Sequence, residues 1–335
     1  MRILVTGGCG FIGSNFVRCI LKTTDYEIIN LDALTYSGNP DNLRDMEKNK
    51  RYRFVRGRIE DKKLVSGLLA DVDYLVNFAA ESHVDRSILD PRPFIVTNIE
   101  GTAALLEACR QSSIKKMVHI STDEVYGELG ESGKFVETLP LLPNSPYSAS
   151  KACADMMIRA YHRTYGLPVT TARPSNNYGC YQYPEKFIPL AITNLLEGRH
   201  VPVYGEGKNV RDWIFVDDCC AGIAAILDRG KAGEVYNVGG ESEKRNIDIV
   251  RTILKLLGKD ERCIEFVRDR PGHDYRYALD NTRIRNGLGW APKIDLETGL
   301  AKTVDWYKNN PSWWKPLKER LAKESGGFWS SITPG

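Results

Sequence analysis

Ser121-Thr122-Asp123-Glu124-Val125-Tyr126-Gly127 directly follows the apolar run Met117-Val118-His119-Ile120. A buried strand that ends in a hydroxyl and two acids would deliver reactive side chains to the carboxyl edge of a sheet, where open α/β sheets keep their ligands. Neighbouring carboxyls repel as anions, so one tends to hold a proton near neutrality, which divides the pair into one acid and one base. Further on stands Tyr147-Ser148-Ala149-Ser150-Lys151. A helix puts Tyr147 and Lys151 on one face, and the ammonium is expected to lower the phenol's pKa. The two segments read as one catalytic site, with Thr122, Asp123, Glu124, Tyr147 and Lys151 as its working groups.

These side chains need a scaffold, and the spacing of apolar runs supplies one. Strand-length runs at 3–6, 28–32, 53–56, 74–78, 117–120 and 169–173 alternate with amphipathic stretches such as 14–21 and 101–110. Such alternation predicts an α/β fold built on a doubly wound parallel sheet of Rossmann type. After Arg173 the pattern turns irregular and rich in Asn, Tyr, Pro and Gly, which predicts a smaller α/β substrate-binding lobe. The expected division is 1–176 for the first domain and 177–335 for the lobe, with about 211–240 returning to the first domain as strand then helix. Trp313, Trp314 and Trp329 leave the tail either docked or frayed.

Composition narrows the classes of function. The 335 residues are 42% hydrophobic and 27% charged, an ordinary globular balance. Net charge is +3 from 46 basic and 43 acidic residues without a block of one sign, so neither nucleic acid nor a membrane surface is an expected partner. The N-terminal apolar run is too short for a signal peptide, and no stretch reaches the length of a membrane span. Eight cysteines without C-x-x-C pairing suggest free thiols and a cytoplasmic protein. Neither they nor the five histidines have metal-ligand spacing, so no metal is expected.

Thr6-Gly7-Gly8-Cys9-Gly10-Phe11-Ile12-Gly13 lies between the first strand and the first helix. Glycines serve plain turns too, but this setting, with an acid ending the next strand, is that of a dinucleotide site. Gly7, Gly10 and Gly13 would let a pyrophosphate approach the helix N-terminus. Asp32 would accept the ribose hydroxyls and repel a 2′-phosphate, and Ala33-Leu34-Thr35 after it offer no base to neutralise one, so NAD is favoured over NADP. Tyr147 titrates near 10 in water and needs a fall of about three units, roughly 4 kcal/mol, to act as a base at neutral pH. Lys151 and a positive nicotinamide ring are expected to provide it together.

This combination resembles the extended short-chain dehydrogenase/reductase superfamily. Thr122-Asp123-Glu124 points within it to an elimination, since epimerases and simple dehydrogenases need only a hydroxyl and the tyrosine. Along most of the chain the likeness narrows to the dTDP-glucose 4,6-dehydratase family. It is carried by Ala79-Ala80-Glu81-Ser82-His83-Val84-Asp85-Arg86-Ser87, Ser121 to Gly127, Tyr147 to Lys151, Ser175-Asn176-Asn177-Tyr178-Gly179, Pro184-Glu185-Lys186, Arg211-Asp212-Trp213 and Asp269-Arg270-Pro271-Gly272-His273-Asp274.

The resemblance implies a catalytic cycle. Tyr147 and Thr122 serve oxidation at the sugar C4, Glu124 removes the C5 proton, Asp123 protonates the departing C6 hydroxyl, and the held hydride returns to C6. On the cofactor side it implies Phe11 and Ile12 in the loop, Ala33, Leu34 and Thr35 beside Asp32, Arg58 and Ile59 near adenine, and Ala79, Ala80, Ser82, Thr97 and Asn177 beyond. Arg58 stands where the family usually has an acid. On the substrate side it implies His83, Thr122, Asn176, Lys186, Phe187, Arg211 and Asn246, a base pocket from Pro202, Val203 and Tyr204, and the run Asp269, Arg270, Pro271, Gly272 and His273. The expected partners are a nucleotide-diphosphate sugar and a second copy of the chain, through 102–110 and 152–161. A nucleotide-sugar 4-epimerase, a dehydratase for a UDP- or GDP-sugar, and a non-catalytic NAD sensor are the competing readings.

Overall fold

Strand β1 (Arg2–Thr6) has four consecutive buried residues, as a strand covered on both faces requires. Its side chains alternate between two cores. Ile3 and Val5 face one that includes Phe16, Val17, Ile223 and Ile226, and Leu4 faces another that includes Leu105, Leu106 and Ile158. The computed structural model describes residues 1–269 and 271–324. In it β1 is joined by β2 (Glu27–Asp32), β3 (Tyr52–Arg56), β4 (Tyr74–Asn77), β5 (Lys116–Ile120) and β6 (Val169–Pro174). The remaining strands are β7 (Asn176–Tyr178), β8 (Val201–Tyr204), β9 (Val210–Phe215), β10 (Val235–Val238), β11 (Glu243–Arg245) and β12 (Ile264–Val267).

Seven of these form one parallel sheet in the order β10-β6-β5-β4-β1-β2-β3. The order reverses between β1 and β4, so their carboxyl ends open a crevice, the place where such sheets bind ligands. Helices α1 (Phe11–Thr23), α2 (Lys62–Leu69), α3 (Val84–Leu89), α4 (Thr102–Arg110) and α5 (Pro146–Tyr165) belong to this half. A π-helical stretch, Ile95–Gly101, leads into α4.

The second half contains α6 (Phe187–Leu196), α7 (Val216–Arg229), α8 (Asn246–Leu257), α9 (Thr282–Leu288), α10 (Leu296–Asn309) and α11 (Pro311–Glu324). A third core joins α6, α8 and α10 to Trp213 and Trp314. The segment 211–240 divides: β9 pairs with β7 and β11 in a small sheet, whereas α7 packs on α1 and β10 closes the edge of the large sheet. Trp314 is buried in a docked helix, and Trp329 lies outside the described residues. All eight cysteines are free. Among the described residues no helix is long and apolar enough to cross a membrane, and no cluster of His, Cys, Asp or Glu could hold a metal ion.

Helix α5 positions much of the site. Ser145 caps it in a reciprocal box with Ser148, Pro146 occupies the first turn, and Gly166 ends it in the left-handed conformation. Its inward face carries Tyr147, Lys151 and Asp155 at successive four-residue intervals, all buried. Asp155 Oδ2 accepts from Arg173 Nε at 2.8 Å, and the Arg173 guanidinium lies 4.7 Å from the centre of the Tyr126 ring. Breaking a buried pair leaves one charge uncompensated, at a cost of about 3–5 kcal/mol, whereas replacing both partners by apolar groups costs far less. Asp155→Leu should therefore lower the urea midpoint sharply and the Asp155→Leu/Arg173→Met double variant much less; equal losses would contradict a coupled pair.

Candidate active site

The glycine turn is built by close approach. Gly7 has φ +71°, and a Cβ there would lie 2.6 Å from the Ala79 backbone nitrogen. A Cβ on Gly13 would lie 2.3 Å from the Gly7 carbonyl oxygen. Helix α1 starts at Gly10 with no side-chain cap and no acid in its first turn, so its N–H groups are left to an anion. Asp32 Oδ2 accepts from Cys9 N and Oδ1 from Leu34 N, each at 2.8 Å. Burial raises the Asp32 pKa while these two N–H groups favour the anion, and each oxygen keeps a lone pair for a ribose hydroxyl. The donor set fits a dinucleotide with an unphosphorylated ribose.

Asp32, Ala33, Thr35, Arg58, Ile59, Ala79 and Thr97 line a cavity that reaches Gly7 and Gly10. A neighbouring cavity shares those two glycines and Ala80, and adds Phe11, Ile12, Gly13, Ser82, Thr122, Asp123, Glu124, Tyr147, Lys151, Asn176, Asn177 and Lys186. A further cavity is bounded by His83, Phe187, Pro202, Val203, Tyr204, Arg211, Asn246 and His273. Ser82, Glu124, Asn176, Asn177 and Lys186 wall both of these larger cavities. The result is one continuous cleft with a dinucleotide half, a reacting corner and a second nucleotide-sized half.

At the corner, Thr122 Oγ1 accepts from Glu124 N at 3.3 Å, and its hydroxyl donates to Asp123 Oδ1 at 3.2 Å. The turn ends at Gly127, φ +87°, where a Cβ would lie 2.4 Å from Leu142 O. Asp123 is buried and its Oδ2 has no hydrogen-bond partner. Burial first, then Glu124 and Asp212, raise the Asp123 pKa above the ordinary carboxylate value, which favours its protonated form. Asp212, pushed up to about 6 by its own burial, stands behind it.

Tyr147 departs from the sequence expectation. Its pKa is raised, by burial and then by Glu124, against the hydrogen bond with Thr122. Lys151 Nζ donates to the Ile120 carbonyl at 2.6 Å, and burial brings its pKa down to about 8. One ammonium N–H is thus engaged at the end of β5, and desolvation dominates the phenol's pKa in the unliganded chain.

In the second nucleotide-sized half, Phe187 stacks on Trp213 at 6.1 Å and Tyr204 meets His273 edge-on at 5.9 Å, an aromatic setting suited to a base. Arg211 donates to the carbonyls of Val210 and Asp274 at 2.8 Å and lies over the Tyr277 ring. Lys186 Nζ donates to Ser82 O at 2.7 Å.

Three groups of expected contacts lie elsewhere. Leu34 does not line the cleft; it has φ +52° and gives its N–H to Asp32. Asp269 is off the wall and pairs at 2.6 Å with His273 Nδ1, so it supports a wall residue. Pro271 and Gly272 are also off the wall, and Arg270 lies outside the described residues.

Other groups were missed. Asn98 Nδ2 donates to Ser150 Oγ at 2.8 Å and to Glu81 O at 3.0 Å, tying the loop after β4 to the helix of Tyr147. Ser87 Oγ accepts from Tyr147 N at 3.1 Å. A π-helical turn around Asn98 leaves no periodic signal in sequence.

A family model described as GDP-mannose 4,6 dehydratase matches residues 4–303. A dTDP-glucose 4,6-dehydratase of Xanthomonas campestris pv. campestris (strain B100) is 52% identical over 330 residues, covering 92% of this chain and 94% of the relative. The crystal structure of DesIV, a dTDP-glucose 4,6-dehydratase from Streptomyces venezuelae with NAD and TYD bound, is 51% identical at a TM-score of 0.93, covering 95% of this chain and 100% of that one. A UDP-glucuronic acid 4-epimerase from Bacillus cereus, in complex with UDP-glucuronic acid and NAD, is 32% identical at a TM-score of 0.87, covering 92% of this chain and 99% of that one.

A methyl at position 13 overlaps the Gly7 carbonyl, an overpacking strain of about 1–3 kcal/mol in the glycine turn. Gly13→Ala is expected to carry about tenfold less bound dinucleotide, measured by quantifying the nucleotide released on heating the purified protein. Unchanged content would contradict the placement of the pyrophosphate at this turn.

Proposed function

The chain belongs to the dTDP-glucose 4,6-dehydratase family of the extended short-chain dehydrogenase/reductase superfamily, and we propose that it converts dTDP-glucose to dTDP-4-keto-6-deoxyglucose and water with NAD as a retained cofactor. The observation that carries this reading is Asp123, a buried carboxyl with an unpartnered oxygen and a pKa raised by desolvation, next to Glu124 where the two larger cavities meet. A 4-epimerase needs the tyrosine and a hydroxyl, and would leave that acid without a task.

Bound NAD would supply the acceptor for the C4 hydride and its source for C6. Tyr147 takes the proton of the C4 hydroxyl while Thr122 hydrogen-bonds the same oxygen. A phenol whose pKa burial has raised is a strong acceptor only once cationic charge stabilises its anion, which is the part we assign to Lys151. The C4 ketone acidifies the C5 hydrogen, and Glu124 removes it. Asp123 passes its proton to the C6 hydroxyl, which leaves as water. Hydride addition at C6 with return of the proton from Glu124 to C5 completes the 4-keto-6-deoxy product and restores the starting oxidation state. His83, Asn176, Lys186, Arg211, Asn246 and His273 are assigned to the diphosphate and base, with Tyr204 and Phe187 stacking nearby. Arg58 takes the adenine side.

We place the protein in the cytoplasm, in keeping with its free cysteines, and as a homodimer through the outer faces of α4 and α5, where Met156 and Tyr165 are exposed. Light scattering should give twice the chain mass, and a monomer at working concentration would remove the dimer.

The substrate reading is tested by incubation with dTDP-glucose, UDP-glucose and GDP-mannose separately: the dTDP sugar should lose one water by mass, and its recovery at unchanged mass would refute the assignment. Glu124→Gln should block loss of water by about 10²–10⁴-fold while NADH accumulates on adding substrate, whereas Tyr147→Phe should give no NADH. Normal turnover by the first variant, or a normal NADH signal from the second, would overturn the role given to that residue.

A further inference from the structure

Helix α11 is anchored on the second half of the molecule. Trp314 is buried and its Nε1 donates to Tyr307 O at 2.8 Å, while Lys318 Nζ donates to Asn194 Oδ1 at 2.7 Å and pairs with Glu197 at 2.8 Å. From that base two side chains cross to the cofactor half. Trp313 Nε1 donates to Asn42 Oδ1 at 2.9 Å, and the buried Asn42 passes the contact on, its Nδ2 donating to Cys9 O at 2.9 Å inside the glycine turn. Arg320 donates to the backbone carbonyl of Tyr36 and, at 3.0 Å, to the Tyr183 hydroxyl.

Tyr36 lies in the loop that follows Asp32. Thr35, Ser37 and Gly38 of this loop line the dinucleotide cavity, and Ser37 and Tyr183 both line the reacting corner. The loop is folded tightly back on its own acid: Leu34 has φ +52°, and a Cβ on Gly38 would lie 2.9 Å from Asp32 Oδ1. A leucine held in the left-handed region persists only where surrounding contacts fix it.

We propose that α11 is a latch on the cofactor: through Arg320 and Trp313 it holds the 33–39 loop and the glycine turn closed on bound NAD and sets how slowly the dinucleotide leaves. The inference rests on the reading of the cleft as an NAD site. It has a chemical reason, because a cofactor that accepts a hydride and gives it back to the same sugar must stay in place between the two transfers. Arg320 and Trp313 are positioning residues, acting through the loop and Asn42.

The test compares the purified holoprotein with Trp313→Phe, Arg320→Ala and the double variant. NAD retained through repeated desalting is measured alongside affinity for dTDP. The wild type should keep its NAD; each single variant should lose it about tenfold faster and the double variant faster still, with dTDP affinity unchanged and initial turnover restored by excess NAD. Loss at the wild-type rate in all variants overturns the latch. Equal loss of NAD and dTDP binding also overturns it, since the helix would then be supporting the fold at large. A wild type that never carries NAD refutes the cofactor reading and the latch with it, an outcome distinct from both.

Discussion

A carboxyl held out of water with one oxygen unpartnered is costly, and Asp123 is kept in that condition by its surroundings. Strand β5 is buried from Met117 to Ile120 and gives way at once to Thr122, Asp123 and Glu124. Desolvation and the adjacent Glu124 favour the protonated form, Asp212 adds to the effect, and only one of the two oxygens is engaged, by the Thr122 hydroxyl. An acid of this kind can give its proton to a departing oxygen while its neighbour accepts one from carbon. Folding and chemistry meet here, because the position that disfavours the anion adjoins Glu124, which walls both of the larger cavities.

The opposite wall is set by α5, whose capped start and buried face fix Tyr147 against the corner. Behind it, Asp155 pairs with Arg173, the acid lying near enough to Lys151 to oppose the fall in that lysine's pKa. His119, wholly buried and driven toward its neutral form, shares a bond with Asn77 at 3.2 Å. Polar groups buried beneath the sheet's carboxyl edge in this way hold the reacting residues at fixed positions. The second half of the molecule contributes a nucleotide-sized cavity on one side, and on the other a helix that reaches back to the loop after Asp32.

The parts legible in the sequence were those whose signal is local. The glycine turn, Asp32, the Thr-Asp-Glu corner and the Tyr-Lys pair each fall within a few residues, and the parallel sheet follows from the spacing of its apolar strands. Pairs distant in sequence left no trace: Asp155 with Arg173, Asn98 with Ser150, Arg320 with Tyr36. Short strands such as β7 and β11, of three residues each, carry no usable period, so the smaller half was read only as irregular. The rise in the Tyr147 pKa was not legible either, because helical spacing places two side chains on one face without saying how deeply each is buried.

In the proposed cycle one sugar is oxidised, dehydrated and reduced at a single corner, and the hydrogen taken from C4 returns to C6. The most direct measurement uses dTDP-glucose carrying deuterium at C4 and locates the label in the product by NMR. Deuterium is expected in the new C6 methyl group. Label washed into solvent, or still on C4 of a sugar that keeps its C6 oxygen, would contradict the cycle.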